Sequence, residues 1–160
     1  MAVGEFRQPG RRRPYRQIER RYVLEYVLNR FPNRLWAGFN VRLGPPPEVM
    51  RKMYPDVPPS HFKVWQPWVD AIVVTPQYLY VIEAKIRNPR MAIGQLLDYA
   101  ERVPYTPELA RWLPREIIKL LVIPFRDPMI VDLCRKYGIQ VDVYRPQWVI
   151  DYMREVGLIP

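Results

Sequence analysis

The stretch Trp68 to Lys85, WVDAIVVTPQYLYVIEAK, decides the reading of this chain. Two runs of β-branched and aromatic residues flank Pro76-Gln77, the composition of two strands joined by a tight turn. A two-residue turn pairs Thr75 with Tyr78, and counting back pairs Asp70 with Glu83; a four-residue turn gives the same register. Glu83 and Lys85, two apart on one strand, share a face. Directly opposed residues also share a face, with Cβ atoms roughly 4.5–5.5 Å apart. Asp70, Glu83 and Lys85 are therefore expected to converge. Like charges opposed in a sheet repel, and the apolar neighbours Ile72, Val81 and Ile82 add a desolvation cost. Two resolutions are open here: an Asp/Glu–Lys ion pair, or a divalent cation. Carboxylate oxygens with water suit Mg²⁺, with Mn²⁺ as a substitute.

Outward from the hairpin, the pattern alternates between helices and strands. Tyr15 to Phe31 reads as a helix with the stripe Val23, Leu24, Val27, Leu28 and Phe31. Leu35 to Leu43 suits a strand. Pro45 to Pro67 reads as a long ordered surface insertion, with two helical turns at Glu48 to Tyr54 and extended or turn backbone around its prolines. Beyond the hairpin come a helix from Met91 to Val103 and an apolar strand from Glu116 to Ile123. A helix capped by Asp127-Pro128 and ended by Gly138 follows, then a strand from Ile139 to Tyr144 and a helix from Pro146 to Val156. The expected fold is α/β: an antiparallel meander extended by two strands that arrive through helical crossovers, giving a mixed sheet flanked by helices. The expected organisation is a flexible basic arm over residues 1–14. A single domain follows over residues 15–160, with a Pro-rich insertion at about 44–67.

Composition narrows the chemistry. Cys134 is the only cysteine and His61 the only histidine, which excludes a disulfide framework and a Cys- or His-cluster metal site within one chain. Cys134 reads as a buried inert thiol, and His61 as a surface residue. Apolar runs are too short to span a bilayer, and Arg11 to Arg13 lead into Pro14 rather than an apolar stretch, so a cytoplasmic protein is expected. Lys and Arg number 25 against 16 acidic residues, a formal net charge of +9. That excess, mostly arginine, points to a polyanionic partner, although an Arg- and Pro-rich composition also suits a GC-rich or heat-adapted source. Trp65, Trp68, Tyr78 and Tyr80 read as core or interface aromatics that could also stack on bases.

Asp70 followed by Glu83-Ala84-Lys85 at the end of the next strand resembles the signature of the PD-(D/E)XK nuclease superfamily. Val69 stands where that signature has proline. Gln95-Leu96-Leu97-Asp98-Tyr99 is similar to the Gln-x-x-x-Tyr motif of RecB-type members. Ile18 to Leu24 resembles the first helix of archaeal Holliday-junction resolvases, which places Glu19, with Glu25 as the competing acid. The resemblance runs from about Tyr15 to Tyr144 and implies a restriction-endonuclease-like core of αβββαβαβ order. It implies metal-dependent cleavage of DNA phosphodiesters, endo- or exonucleolytic, in repair, recombination, mobile-element or phage DNA processing. Asp70, Glu83, the Ala84 carbonyl and Glu19 would hold Mg²⁺, and Lys85, Gln95 and Tyr99 would serve catalysis. The alternative is a non-catalytic nucleic-acid-binding or assembly subunit, such as a virion component, on the same fold, working as a homo-oligomer or within a larger particle. Arg7, Arg11, Arg12, Arg13 and Arg16 are expected to meet DNA phosphates rather than bases.

Overall fold

In the computed structural model, which describes residues 14–160, the Trp68–Lys85 hairpin lies at the middle of a five-stranded sheet. The strands are β1 (Trp36–Arg42), β2 (Trp68–Val74), β3 (Tyr78–Ala84), β4 (Glu116–Ile123) and β5 (Ile139–Val143). They lie side by side in chain order. β1, β2 and β3 pair antiparallel, and β3, β4 and β5 pair parallel. The mixed α/β sheet is therefore the one expected. Parallel neighbours require crossovers, which α4 (Arg90–Arg102) and α5 (Pro128–Lys136) supply.

Each sheet face buries its own apolar cluster. On one face, Ala92, Ile93, Leu96 and Tyr99 of α4 and Ile130 and Cys134 of α5 cover Ile72, Val74, Leu79, Val81 and Leu121. On the other, α1 (Pro14–Arg30) and α6 (Gln147–Glu155) cover Ala71, Val73, Ile82, Ala84 and Val122. Alternation along β3 is regular: Leu79 and Val81 face α4, while Tyr80, Ile82 and Ala84 face α1. Asp127 caps α5 by accepting from the Met129 and Ile130 amides, satisfying donors the helix cannot.

Two local expectations are corrected. The stripe on α1 is rotated: Tyr22, Val23, Tyr26 and Val27 are buried, whereas Leu24 and Leu28 are 45% and 51% exposed. The tyrosines win because their rings fill the interface while their hydroxyls donate to Tyr144 O (2.6 Å) and Asp142 Oδ2 (2.8 Å). The Pro-rich insertion carries two short helices, α2 (Pro47–Met53) and α3 (Pro59–Trp65), and α3 was expected to be extended or turn. Its proline occupies the first turn, where the missing N–H costs nothing. Phe62 of α3 is fully buried, and His61 is exposed as expected.

Candidate active site

The β2–β3 ladder stops one step short of Asp70 and Glu83; its last pair is Ala71 with Ile82. Continuing that register sets Asp70 opposite Glu83, and the next hydrogen bonds come from side chains. The Asp70 amide donates to Glu83 Oε1 at 3.1 Å, and the Ala84 amide donates to Asp70 Oδ2 at 3.0 Å. Lys85 Nζ stands 3.2 Å from Glu83 Oε2. The three groups expected to converge do so.

A distortion on the neighbouring strand accompanies this. β1 and β2 pair Phe39 with Ala71 and Val41 with Val69, leaving Asn40 and Asp70 unpaired between them. Asn40 has φ 49°, a left-handed backbone that is unusual inside a strand. Val69 faces α4 while Ala71, two residues on, faces α1. The strand thus changes face at Asp70, which brings this carboxylate to the sheet's open end. Asn is one of the few residues that adopts this conformation readily, but the alternation of Leu35 to Leu43 read as an unbroken strand and gave no reason to place it here.

Electrostatics at the site are dominated by burial. Glu83 is 1% exposed. Burial, and behind it the charge of Asp70, pushes the Glu83 carboxyl well above its usual range. Asp70 is also raised by burial, against the lowering effect of the Ala84 amide and Lys85. For Lys85, burial alone would favour the neutral amine. Glu83, Asp70 and Glu19 more than offset it and hold the ammonium charged.

Two helices contribute from either side. Glu19 of α1 accepts from the Tyr15 hydroxyl and the Ile86 amide, and burial raises its carboxyl. It lies in the field of Lys85 and Asp70. Glu25 is elsewhere, accepting from Trp148 Nε1 (2.9 Å) and the Tyr144 hydroxyl (3.0 Å). Of the two acids on α1, Glu19 is the one beside the site, with its carboxylate turned to Tyr15. From α4, Tyr99 is 5% exposed. Its hydroxyl bonds the Gln95 side chain and is pushed up to about 12 by burial, with Glu83 and Asp70 adding to the effect. Gln95 Oε1 is buried without a hydrogen-bond partner. Arg87, which sequence reading passed over, stacks its guanidinium 5.1 Å from the Tyr15 ring centre, and its buried Nε also lacks a partner. Tyr15 was likewise missed, because both become visible only once α1 docks at the end of β3.

Whether these residues fit a metal can be judged from the donor set. No group of three or more His, Cys, Asp or Glu among the described residues stands ready as a cage. Two opposed carboxylates nevertheless suit a cation that keeps most of its waters. The set fits Mg²⁺, with Glu19 standing back against Tyr15. Arg16 is exposed on the first turns of α1; Arg7, Arg11, Arg12 and Arg13 lie outside the described residues. Tyr80 packs against Phe31 with ring centres 4.9 Å apart, and Trp68 lies 52% exposed beneath the Arg42 guanidinium. The side chain of Trp65 is outside what the structure describes. No helix among the described residues is long and apolar enough to cross a membrane.

No protein-family model matches the chain, and comparison with curated proteins finds no match. Among solved structures, the chain is similar to a repair endonuclease from Pyrococcus abyssi, with TM-score 0.46 and 14% identity over 90% of this chain and 50% of that one. It is also similar to a protein from Vibrio cholerae, with TM-score 0.43 and 14% identity over 87% of this chain and 31% of that one. The chain spans half the length of the first and about a third of the second.

Proposed function

We propose that this chain is a Mg²⁺-dependent deoxyribonuclease of the PD-(D/E)XK type, with Asp70, Glu83 and Lys85 as its centre. The observation that carries the reading is the burial of two opposed carboxylates at the broken end of a ladder. Such an arrangement disfavours the apo fold and is rationalised by a cation. Asp70, Glu83 and the Ala84 carbonyl would hold Mg²⁺, with Glu19 swinging in from Tyr15. When bound, the ion would neutralise charge on the phosphate and lower the pKa of a water. Lys85, kept as an ammonium by its three carboxylates, acts as a donor and positive charge at the phosphoryl oxygens rather than as a base. Gln95 Oε1, which has no protein partner, accepts a hydrogen bond from the attacking water and fixes its direction. Tyr99 stays a neutral hydroxyl and holds Gln95 in place.

A binding or assembly module on the same fold is the second reading, and the Lys85–Glu83 pair favours it. In that reading the carboxylates do no more than tie the backbone amides of Asp70 and Ala84. It leaves Gln95 Oε1 unexplained. Incubating plasmid and branched DNA with the protein and Mg²⁺ or Mn²⁺, against an EDTA control, separates the two. Metal-dependent cleavage supports the enzyme; intact DNA under all metals, with binding retained, supports the module.

A further inference from the structure

The rotated face of α1 leaves a feature that the catalytic reading does not use. Between α1 and β1 runs a groove of about 280 Å³, and Asp70 lines it. Arg20 and Arg21 stand on its α1 side, with Leu24 beside them and Phe39 and Asn40 on the β1 side. Leu24 is an exposed apolar side chain, which gives the groove an apolar wall under a cationic rim. The Arg21 guanidinium is already engaged, 4.1 Å from the Trp148 ring centre with its Nε 3.8 Å from Glu25, so Arg20 is, among the described residues, the free cation of this rim. The left-handed Asn40, across from Asp70, leaves a one-residue gap in the β1–β2 pairing where the groove meets the carboxylate.

We propose that this groove seats one strand of nucleic acid, with Arg20 on its phosphates and Leu24 and Phe39 against sugar or base, and leads it to Asp70. The match is chemical: a nucleic-acid strand alternates anionic phosphate with apolar sugar and base surface, and the groove offers both. Asn40, left-handed and unpaired, lies in the groove lining beside Asp70. The approach to Asp70 rests on the nuclease reading; the binding does not.

The test measures binding in EDTA, where no cleavage intervenes, by fluorescence anisotropy of labelled single-stranded and duplex oligonucleotides across a salt series. The full chain is compared with Arg20→Ala, Leu24→Glu and, as a charge control on α5, Arg135→Ala. Loss of one phosphate contact should weaken binding roughly tenfold and flatten the log-affinity salt slope by about one in Arg20→Ala, with Arg135→Ala unchanged. Leu24→Glu, a change at an exposed position that the fold tolerates, should weaken binding as well. A loss confined to single strands assigns the groove to an unpaired strand, and a loss on both to one strand of a duplex. If Arg20→Ala and Leu24→Glu bind like Arg135→Ala, or the wild-type chain binds neither oligonucleotide, the groove is overturned. Wild-type protein that binds in this pattern but leaves DNA intact with both Mg²⁺ and Mn²⁺ retains the groove and loses the nuclease reading.

Discussion

The two ends of the central hairpin are built from the same strands and solve the same hydrogen-bonding problem differently. At the turn, backbone and hydroxyl close the ladder: the Thr75 amide donates to Tyr78 O at 2.9 Å, and the Tyr78 amide donates to Thr75 Oγ1 at 3.1 Å. At the open end, ladder amides of Asp70 and Ala84 are taken by carboxylates instead. A neutral end needs nothing further. The charged end buries two repelling groups, and in the apo protein each carboxyl is shifted toward its protonated form. The difference separates an end closed by neutral groups from one closed by buried carboxylates, and the proposed cation belongs to the second.

The comparison is broken most severely at the charged end. Asp70→Asn, Glu83→Gln and Lys85→Ala should each lower cleavage by at least about a hundredfold while circular dichroism and DNA affinity stay near wild type. Loss of cleavage together with gross unfolding would mark a structural ion pair. A smaller effect sharpens the contrast along α1. Glu19→Gln should slow cleavage by roughly tenfold with little change in melting, and Glu25→Gln should leave cleavage intact. Equal losses from both would remove Glu19 from the site.

Stability against pH reports the same contrast without any substrate. Folded-state pKa values of Asp70, Glu83 and Glu19 are raised, so the fold favours their protonated forms. The stability they confer is present in full below their unfolded values near ~4 and is lost as pH rises through the raised ones. Apo protein should therefore weaken on going from acid toward neutral pH. Asp70→Asn removes one charge and its repulsion on Glu83, and should raise apo stability at pH 7 by about 1–2 kcal/mol and flatten the pH slope. Thermal melts from pH 4 to 8 decide it; a less stable Asp70→Asn at pH 7 would count against the repulsion. At the turn end, Thr75→Ala should cost only about 0.5–1 kcal/mol, with cleavage and pH slope unchanged.

The register that opposes Asp70 to Glu83 was legible because a strand has period two and Pro76-Gln77 fixes the count. Lys85 followed from the same arithmetic. Less legible was anything that required docking one element on another. The α1 stripe was misread because leucine outweighs tyrosine in a hydropathy pattern, whereas Tyr22 and Tyr26 have polar partners waiting on and beyond β5. Proline-rich sequence hid α3, since the residue that breaks a helix interior also starts one. No local signal decided Asn40 or Arg87; the first depends on a backbone angle and the second on where α1 lies. Glu19 was preferred to Glu25 by the resemblance of its helix together with register, and it is the acid of the two that lies in the field of Lys85 and Asp70.

The central claim, that the opposed carboxylates form a cation site, is tested most directly by titrating the apo protein with Mn²⁺ and following free ion by electron paramagnetic resonance, with Asp70→Asn alongside. The account predicts a saturable site in the wild-type protein that is lost or weakened at least about tenfold in Asp70→Asn, because one of the two opposed carboxylates is gone. Wild-type protein that takes up no Mn²⁺ at millimolar concentration, or a variant that binds it equally well, would contradict it.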